Sequence, residues 1–213
     1  SSSPGSDEVK PDRVVCVAWK LCDNECASGS NDCSIIVWNT IDGSIIKKYD
    51  DHDDIVRSVD YNNKGILASG SDDKTVIIYN KDKTILHHKN RVRCIKWNPI
   101  NNDLLLSGCD DFSIKLWDVS NKSIIRTFKE HTNFIYSLVW NNETKFASSS
   151  GDETIIIWNK DKEESTKVLT GHVGNIWSID WKGDVLVSGG NDKKILVWNT
   201  ETYKKQELTG HIG

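Results

Sequence analysis

The feature that most limits how this chain can fold is an internal repeat of about 40 residues. Its clearest unit is the segment 148–158, where small residues lead into a Gly-Asp turn and then into a Thr/Ile-rich stretch ending at Trp158. The same pattern occurs four more times, at 28–38, 69–79, 107–117 and 188–198. In each copy a Ser lies four residues before an Asp, and a Trp or Tyr lies six residues after that Asp. A repeat of this length predicts a propeller or another array of stacked units.

A second, fainter signal precedes each unit, namely an apolar stretch that ends in an aromatic residue. These aromatic residues are Trp19, Tyr61, Trp97, Trp140 and Trp181. Four histidines lie nine residues before one of them: His52, His88, His131 and His172. Because Ser, Asp, His and an aromatic residue recur at fixed offsets, we expect them to have the same role in every repeat.

Each repeat contains four short stretches with strand character, separated by turns rich in Gly, Asn, Asp and Ser. The third stretch is apolar at consecutive positions in most copies, as at 155–157, which predicts strands that are covered on both faces. The fourth stretches carry more Lys, Ser and Thr, which suits a solvated outer edge; they span 44–49, 84–87, 123–128, 165–169 and 204–208. No segment has the length and periodicity of an amphipathic helix. We therefore predict an all-β fold.

These residues and spacings resemble the WD-repeat family of β-propellers. Variants of the two dipeptides of that family occur at Gly171-His172, Gly210-His211 and Trp117-Asp118. The resemblance covers about residues 14–213 and implies five four-stranded blades, from repeats at about 14–53, 54–90, 91–133, 134–174 and 175–213. Blades of such a propeller are sandwiched between their neighbours, in agreement with the apolar third strands.

The resemblance also bears on what lies beyond these blades. Closed members of the family commonly have seven blades, so we expect the five blades to form part of a larger, seven-bladed ring or of one completed by another chain. A five-bladed ring is the less favoured alternative. Residues 1–13 are rich in Ser, Pro and charge, and we expect them to be a disordered tail or a cloning remnant outside the propeller.

The resemblance assigns a structural role to four tetrads, in which Trp donates to Ser, Ser to His, and His to Asp. The sets are His52-Ser69-Asp73-Tyr79, His88-Ser107-Asp111-Trp117, His131-Ser148-Asp152-Trp158 and His172-Ser188-Asp192-Trp198. Tyr79 retains a donor, so we expect the second tetrad to close as well. Ser, His and Asp also form catalytic triads, but four buried copies favour a scaffold, since an enzyme requires an exposed nucleophile. We predict no catalytic residue and no enzymatic activity.

Few histidines and cysteines remain that could bind a metal or a cofactor. With the four tetrad histidines and the repeat histidine His211 assigned, only His87 is left over, and the six cysteines lack the paired spacing of a zinc site. Cys16, Cys94 and Cys109 replace small residues at core positions. We predict no metal, no cofactor and no small-molecule substrate. Cysteines without a framework-like spacing favour a reducing compartment, hence the cytoplasm or the nucleus. No apolar run approaches the length of a membrane span, so we predict no membrane association.

The predicted partner site lies at the mouth of the central channel. The residue four positions before the second aromatic residue starts each innermost strand and should face this mouth; the set is Val15, Arg57, Arg93, Tyr136 and Trp177. Arg57, Arg93, Tyr136 and Trp177, together with Phe134, are of types enriched at interface hot spots. We predict that these five bind a partner. In this prediction a carboxylate or phosphate pairs with the arginines, and a side chain or base stacks on Tyr136 or Trp177.

These observations favour a non-enzymatic scaffold or adaptor that binds a protein or peptide partner within a multiprotein complex. The alternative is an RNA-binding module of the same family that reads single-stranded RNA with the same arginines and aromatic residues. The net charge of -4 counts against general binding of a phosphate backbone. A third class, a propeller hydrolase, would need an unpaired acid or nucleophile in the channel, and the sequence offers none.

Overall fold

The computed structural model describes residues 13–21 and 23–211. Within these residues every regular element is a β-strand, and there are twenty strands. The predicted tail therefore lies outside the described residues except for Arg13, and Cys22 lies outside them too. The described part contains no helix with the length and hydropathy needed to cross a membrane. The all-β prediction is confirmed.

The strands form five four-stranded antiparallel sheets, which we call blades 1 to 5. Blade 1 contains β1 (Val14–Trp19), β2 (Glu25–Ser30), β3 (Ile35–Asn39) and β4 (Ile45–Tyr49). Blade 2 contains β5 (Val56–Tyr61), β6 (Leu67–Ser71), β7 (Thr75–Ile78) and β8 (Thr84–His87). Blade 3 contains β9 (Val92–Trp97), β10 (Leu104–Cys109), β11 (Ile114–Asp118) and β12 (Ser123–Phe128).

The last two blades repeat this arrangement. Blade 4 contains β13 (Ile135–Trp140), β14 (Lys145–Ser150), β15 (Thr154–Asn159) and β16 (Lys167–Thr170). Blade 5 contains β17 (Ile176–Lys182), β18 (Val185–Gly190), β19 (Ile195–Asn199) and β20 (Lys205–Leu208). In every blade the strands are hydrogen-bonded in chain order from the first to the fourth.

The first strands of the blades lie side by side at the centre of the array. β1, β5, β9, β13 and β17 contact one another in chain order. Together they border a cavity of about 410 Å³. The fourth strands lie at the outside, where β4 and β20 are almost wholly exposed. The order from inner to outer strand agrees with the blade architecture expected from the repeat.

The hydrophobic core consists of apolar layers between successive blades. In the layer between blades 3 and 4, Leu106 and Phe128 pack with Ile135 and Trp158. Equivalent layers join blades 1 and 2, blades 2 and 3, and blades 4 and 5. Third strands such as β15 are therefore buried on both faces, which explains why they are apolar at consecutive positions.

Successive blades approach closely at one glycine position. A Cβ atom on Gly108 would lie 2.6 Å from Cγ2 of Ile135 in the next blade. Gly29 and Gly70 are crowded by the next blade in the same way. Blade 4 has Ser149 at this position, and its hydroxyl is buried without a hydrogen-bond partner among the described residues.

Exposed apolar side chains remain on the flanks of the first and last blades. Val17 and Trp19 of β1 are 71% and 59% exposed, and Val185 and Ile195 of blade 5 are exposed as well. In the inner blades the corresponding faces are covered by a neighbouring sheet. A larger, seven-bladed ring stays a prediction.

Candidate functional site

The turn between the second and third strands has the same form in all five blades. The residue after the turn Asp has a positive φ, between 64° and 72°; these residues are Cys33, Lys74, Phe112, Glu153 and Lys193. An oxygen of the Asp carboxylate accepts a hydrogen bond from the backbone N–H two residues further on, as Asp152 does from Thr154 at 3.0 Å. The aspartate therefore stabilises its own turn, and in blades 2, 4 and 5 its second oxygen also accepts a backbone N–H of the preceding loop.

In blades 4 and 5 the structure brings all four tetrad residues together. His131 lies 2.7 Å from Asp152 through Nδ1 and 2.7 Å from Ser148 through Nε2, and Trp158 donates to Ser148 at 2.8 Å. The corresponding distances in the tetrad of His172 are 2.9, 2.8 and 2.9 Å. Each histidine belongs to the loop that leaves the outer strand of the preceding blade. The network therefore ties two successive blades together.

Burial and charge determine the protonation state of these networks. Burial alone would raise the pKa of Asp152, but hydrogen bonds from His131 and Thr154 hold this pKa well below its usual range. The pKa of Asp73 is lowered in the same way by His52 and Thr75. Ser148 is completely buried, so it has no access to a substrate. This geometry suits a structural network and not a nucleophile.

Blade 2 departs from the prediction at its aromatic member. His52 bonds to Ser69 and to Asp73, each at 2.6 Å, but the hydroxyl of Tyr79 is buried without a partner among the described residues. An indole N–H lies at the side of its ring, whereas a phenol hydroxyl projects from the far end. Tyr79 instead packs against Tyr49, with ring centroids 4.1 Å apart. The described residues thus do not show the hydrogen bond by which we expected Tyr79 to close the network, although burial raises the pKa of Tyr79 and Ser69 is near enough to oppose this larger effect by lowering it.

Blade 3 departs from the prediction at its acidic member. Trp117 donates to Ser107 at 2.8 Å, and Ser107 lies 3.1 Å from Nε2 of His88. Nδ1 of His88, however, faces Nζ of Lys115 at 3.2 Å in place of Asp111. The carboxylate of Asp111 accepts from the backbone and the hydroxyl of Ser113. The predicted contact between His88 and Asp111 is thus replaced, because a lysine projects into this layer.

The cysteines and acids of the described residues form no group of three or more that could hold a metal ion. The five described cysteines are free thiols. Burial raises the pKa of Cys16 to about 12 and that of Cys109 to about 11, so both are protonated and unreactive at neutral pH. These properties suit small residues of the core.

At the mouth of the central cavity, the two predicted arginines are held by aspartates of their own blades. Arg57 donates through Nε and Nη2 to Asp72, at 2.9 and 2.6 Å. Arg93 donates through the same two nitrogens to Asp110. Asp72 and Asp110 directly precede the turn aspartates. Each arginine therefore forms a bidentate ion pair across the end of its sheet, between the start of the first strand and the turn.

Arg93 also belongs to a continuous set of aromatic contacts that crosses blades 3 to 5. The guanidinium of Arg93 lies over the rings of Phe134 and Tyr136, at 4.8 and 5.2 Å from their centroids. Tyr136 contacts Trp177 at 4.4 Å, and Phe112 contacts Phe134 at 5.8 Å between centroids. We call Phe112, Phe134, Arg93, Tyr136 and Trp177 the aromatic–arginine row. Four of the five predicted partner residues thus lie in one row, with Arg57 beside it on blade 2.

Phe112 is the member of the row that the sequence reasoning missed. It follows the turn Asp of blade 3, where the other blades have Cys, Lys or Glu, and it is 39% exposed with a φ of 66°. A large exposed aromatic residue in the left-handed region is unfavourable both for backbone conformation and for hydration. An aromatic residue at a turn position that is otherwise polar was the signal available in the sequence.

Five sheets stacked in chain order, with His networks between successive blades and a central cavity bordered by the first strands, define a propeller-type repeat protein. The chain belongs to the family of the WD domain, G-beta repeat, whose profile matches residues 8–39, 43–80, 81–118, 122–159 and 163–199. The resemblance inferred from the repeated motifs is confirmed.

The chain is also similar to several curated proteins. It is 24% identical over 209 residues to the E3 ubiquitin-protein ligase COP1 of Pisum sativum, covering 93% of this chain and 31% of that protein. It is 27% identical over 227 residues to the anaphase-promoting complex subunit cdc20 of Dictyostelium discoideum, covering 96% and 44%. It is 25% identical over 244 residues to the nuclear distribution protein nudF of Aspergillus niger, covering 99% and 55%. The chain thus spans between about a third and about half of these relatives.

Proposed function

We propose that this protein is a non-enzymatic adaptor that binds a partner protein through the aromatic–arginine row. The observation that carries the proposal is the row itself, in which large side chains from three blades contact one another at the cavity mouth. Trp177 is 49% exposed. Aromatic residues and arginine are the types that contribute most to protein interfaces.

The relatives are compatible with this role. One of them is named as a subunit of the anaphase-promoting complex and another as a ubiquitin ligase. Each is much longer than this chain, so the shared part is the repeat array and not the whole protein. A repeat array that binds partners within a larger assembly is compatible with both of these named roles.

The ion pairs of the arginines disfavour the RNA-binding alternative. Arg57 and Arg93 each direct two donors to a buried carboxylate, so their positive charge is largely neutralised. A phosphate backbone is attracted by unpaired cations. The aromatic rings would then have to bind an RNA strand without help from the arginines. The row therefore supports RNA binding less well than it supports protein binding.

The proposal is tested by affinity capture and quantitative mass spectrometry in cells of the source organism. The variant Tyr136→Ser/Trp177→Ser should lose the specific partners while keeping the β-type circular-dichroism spectrum. The matched control, Ile41→Ser/Tyr203→Ser, removes two exposed apolar side chains outside the row and should keep those partners. Equal recovery of every partner by both variants would refute the row as the binding site.

We further propose that the protein acts in the cytoplasm or the nucleus. The five cysteines that the structure describes are unpaired, which suits a reducing compartment. Fluorescence imaging of the tagged protein in its own cells tests this proposal. A signal confined to the secretory pathway would contradict it.

A further inference from the structure

We propose that the aromatic–arginine row binds a basic side chain of its partner, Arg or Lys, and that Asp72 and Asp110 set this preference. The inference rests on the proposed function and names the chemistry of the ligand. It reverses the expectation from the sequence, in which the arginines would attract a carboxylate or a phosphate.

Both arginines are already paired with carboxylates that are almost completely buried. The side chains of Asp72 and Asp110 are only 3% and 6% exposed, and each accepts two hydrogen bonds from its arginine. An incoming acid would have to displace one of these buried carboxylates and leave it unpaired, which is strongly unfavourable. The arginines therefore serve as neutralised, flat supports for the rings and not as anion receptors.

The indole ring of Trp177 remains accessible to a ligand. Trp177 is the most exposed member of the row, and its Nε1–H donates to Oδ1 of Asn191, which fixes the orientation of the indole. Tyr136 packs against Trp177 on one side and Arg93 on the other. The face of an aromatic ring carries partial negative charge and attracts a cation, with tryptophan the strongest of the three types. A fixed, half-exposed indole is therefore suited to a basic side chain.

Carboxylates near the row also favour a basic ligand. At the Trp177 end, the carboxylate of Glu153 accepts a hydrogen bond from the backbone N–H of Gly174 at 2.8 Å, in the loop that leads to Trp177. At the other end, the pKa of Arg57 is raised first by its bond to Asp72 and further by the charges of Asp54 and Asp110. Glu153 thus supplies a carboxylate at the Trp177 end, while Asp54 adds a negative charge beside the paired Arg57, and both favour a cation over an anion.

Blade 4 differs from blades 2, 3 and 5 at the residue before the turn Asp, where the side chains of Asn133 and Asn175 occupy the adjacent space. In blades 2, 3 and 5 the residue at the start of the first strand is held by the residue before the turn Asp, as Arg57 is by Asp72 and Trp177 by Asn191. In blade 4 that position is Gly151, which has no side chain to hold Tyr136. A Cβ atom on Gly151 would lie 3.0 Å from the side chain of Asn133. The turns of blades 3 and 5 thus hold Arg93 and Trp177 through a side chain, whereas the turn of blade 4 has no side chain that could hold the hydroxyl of Tyr136.

The test is a titration of the ¹⁵N-labelled protein, followed through the indole resonance of Trp177, which is assigned with Trp177→Phe. The probes are the N-acetyl amides of arginine, leucine and glutamate, and free phosphoserine. We expect the arginine probe to shift this resonance with an affinity roughly five-fold higher than that of the leucine probe. The glutamate and phosphoserine probes should leave it unchanged.

The isosteric variant Asp72→Asn/Asp110→Asn supplies the second arm. It frees the charge of both arginines, so it should lose the preference for the arginine probe and gain a response to phosphoserine. A wild-type response to the acidic probes, equal responses to arginine and leucine, or no response to arginine would each overturn the inference. If the row variant loses its partners in the capture experiment while the acidic probes bind the wild type, only this inference fails. If partner capture is unchanged, the proposed function itself fails.

Discussion

Nζ of Lys115 lies 3.2 Å from Nδ1 of His88, at the position where Nδ1 of the histidine faces an aspartate in blades 2, 4 and 5. An ammonium group can only donate, so Nδ1 of His88 accepts and the proton of the ring is on Nε2. Nε2 then donates to Ser107. Where the partner is an aspartate, Nδ1 donates and Nε2 accepts. The two hydrogen bonds of the histidine therefore run in the opposite direction in blade 3, whereas Trp117 donates to Ser107 as the equivalent tryptophans of blades 4 and 5 do to their serines.

Replacing this lysine should stabilise the protein. The equivalent positions of blades 2 and 4 are Ile77 and Ile156, each 2% exposed, whereas Lys115 is a charged residue that is 9% exposed. We expect Lys115→Ile to increase the free energy of unfolding by about 1–3 kcal/mol, because it removes a buried charge and frees His88 to approach Asp111. Urea titration monitored by circular dichroism measures the change. As the reciprocal control, Ile156→Lys should lower stability. A less stable Lys115→Ile protein would contradict the prediction.

The stability of the protein should fall as the pH drops below about 6.5. Burial, with a further contribution from Lys115, lowers the pKa of His88 from 6.5 to about 3. The unfolded chain then binds more protons than the folded chain between these two values, so stability is full above pH 6.5 and is lost as the pH falls towards 3. The slope from this one group reaches about 1.4 kcal/mol per pH unit.

Urea midpoints at pH 7.5, 6.5, 5.5 and 4.5 measure this dependence. The variant His87→Ala, which removes the exposed neighbour of His88, should keep the same slope. A midpoint that stays constant from pH 6.5 to 5 would show that His88 is not held in its neutral form.

Tyr79→Trp should close the network of blade 2. The phenol hydroxyl is buried without a partner among the described residues, and the indoles of Trp117, Trp158 and Trp198 all reach the serine of their own tetrad. We expect a gain of about 1 kcal/mol in the free energy of unfolding, since one unsatisfied group is removed and one hydrogen bond is formed. Thermal and urea unfolding provide the measurement. Trp158→Tyr should lose a comparable amount; a gain in that variant would argue against the interpretation.

Gly108→Ala should destabilise the protein, whereas Gly189→Ala should not. The two glycines occupy the same position in blades 3 and 5. A methyl group on Gly108 would lie 2.6 Å from both Ile135 and Cys94, whereas nothing lies within 4 Å of the corresponding point on Gly189. We expect Gly108→Ala to lower the free energy of unfolding by about 1–3 kcal/mol through overpacking. Equal unfolding midpoints for the two variants would show that blades 3 and 4 separate without cost.

Most of the fold could be predicted from the sequence because the repeat is long and its turns are regular. Four of the five predicted outer strands begin within one residue of the observed ones, and the fifth, β16, begins two residues later, at Lys167. The spacing of Ser and Trp is reliable because the two residues lie on neighbouring strands whose register is fixed by the turn between them. Ser148 and Trp158, for example, are ten residues apart and bonded at 2.8 Å.

The candidate site was less predictable because its contacts depend on the ends of strands and on the reach of side chains. The pairing of Arg57 with Asp72 follows only once β5 and β6 are in register, with Val56 opposite Ser71. The sequence spacing could not reveal that the charge of Arg57 is neutralised. Nor could spacing reveal that Lys115 takes the place of the acidic partner of His88. Asp111 keeps its usual position in the sequence, and only the structure shows that the side chain of Lys115 reaches His88.

The crossing of each histidine loop from one blade to the next also bears on how such a chain grows by gene duplication. The segment 122–159, one of the matched family repeats, starts in the outer strand of blade 3 and ends in the third strand of blade 4. It nevertheless carries the whole network from His131 to Trp158. Each duplicated copy of this segment would carry a complete network, whereas a copy cut at the blade boundaries, such as 134–174, would carry the Ser, Asp and Trp of one network and the histidine of the next. The family repeat is therefore offset by one strand from the blade.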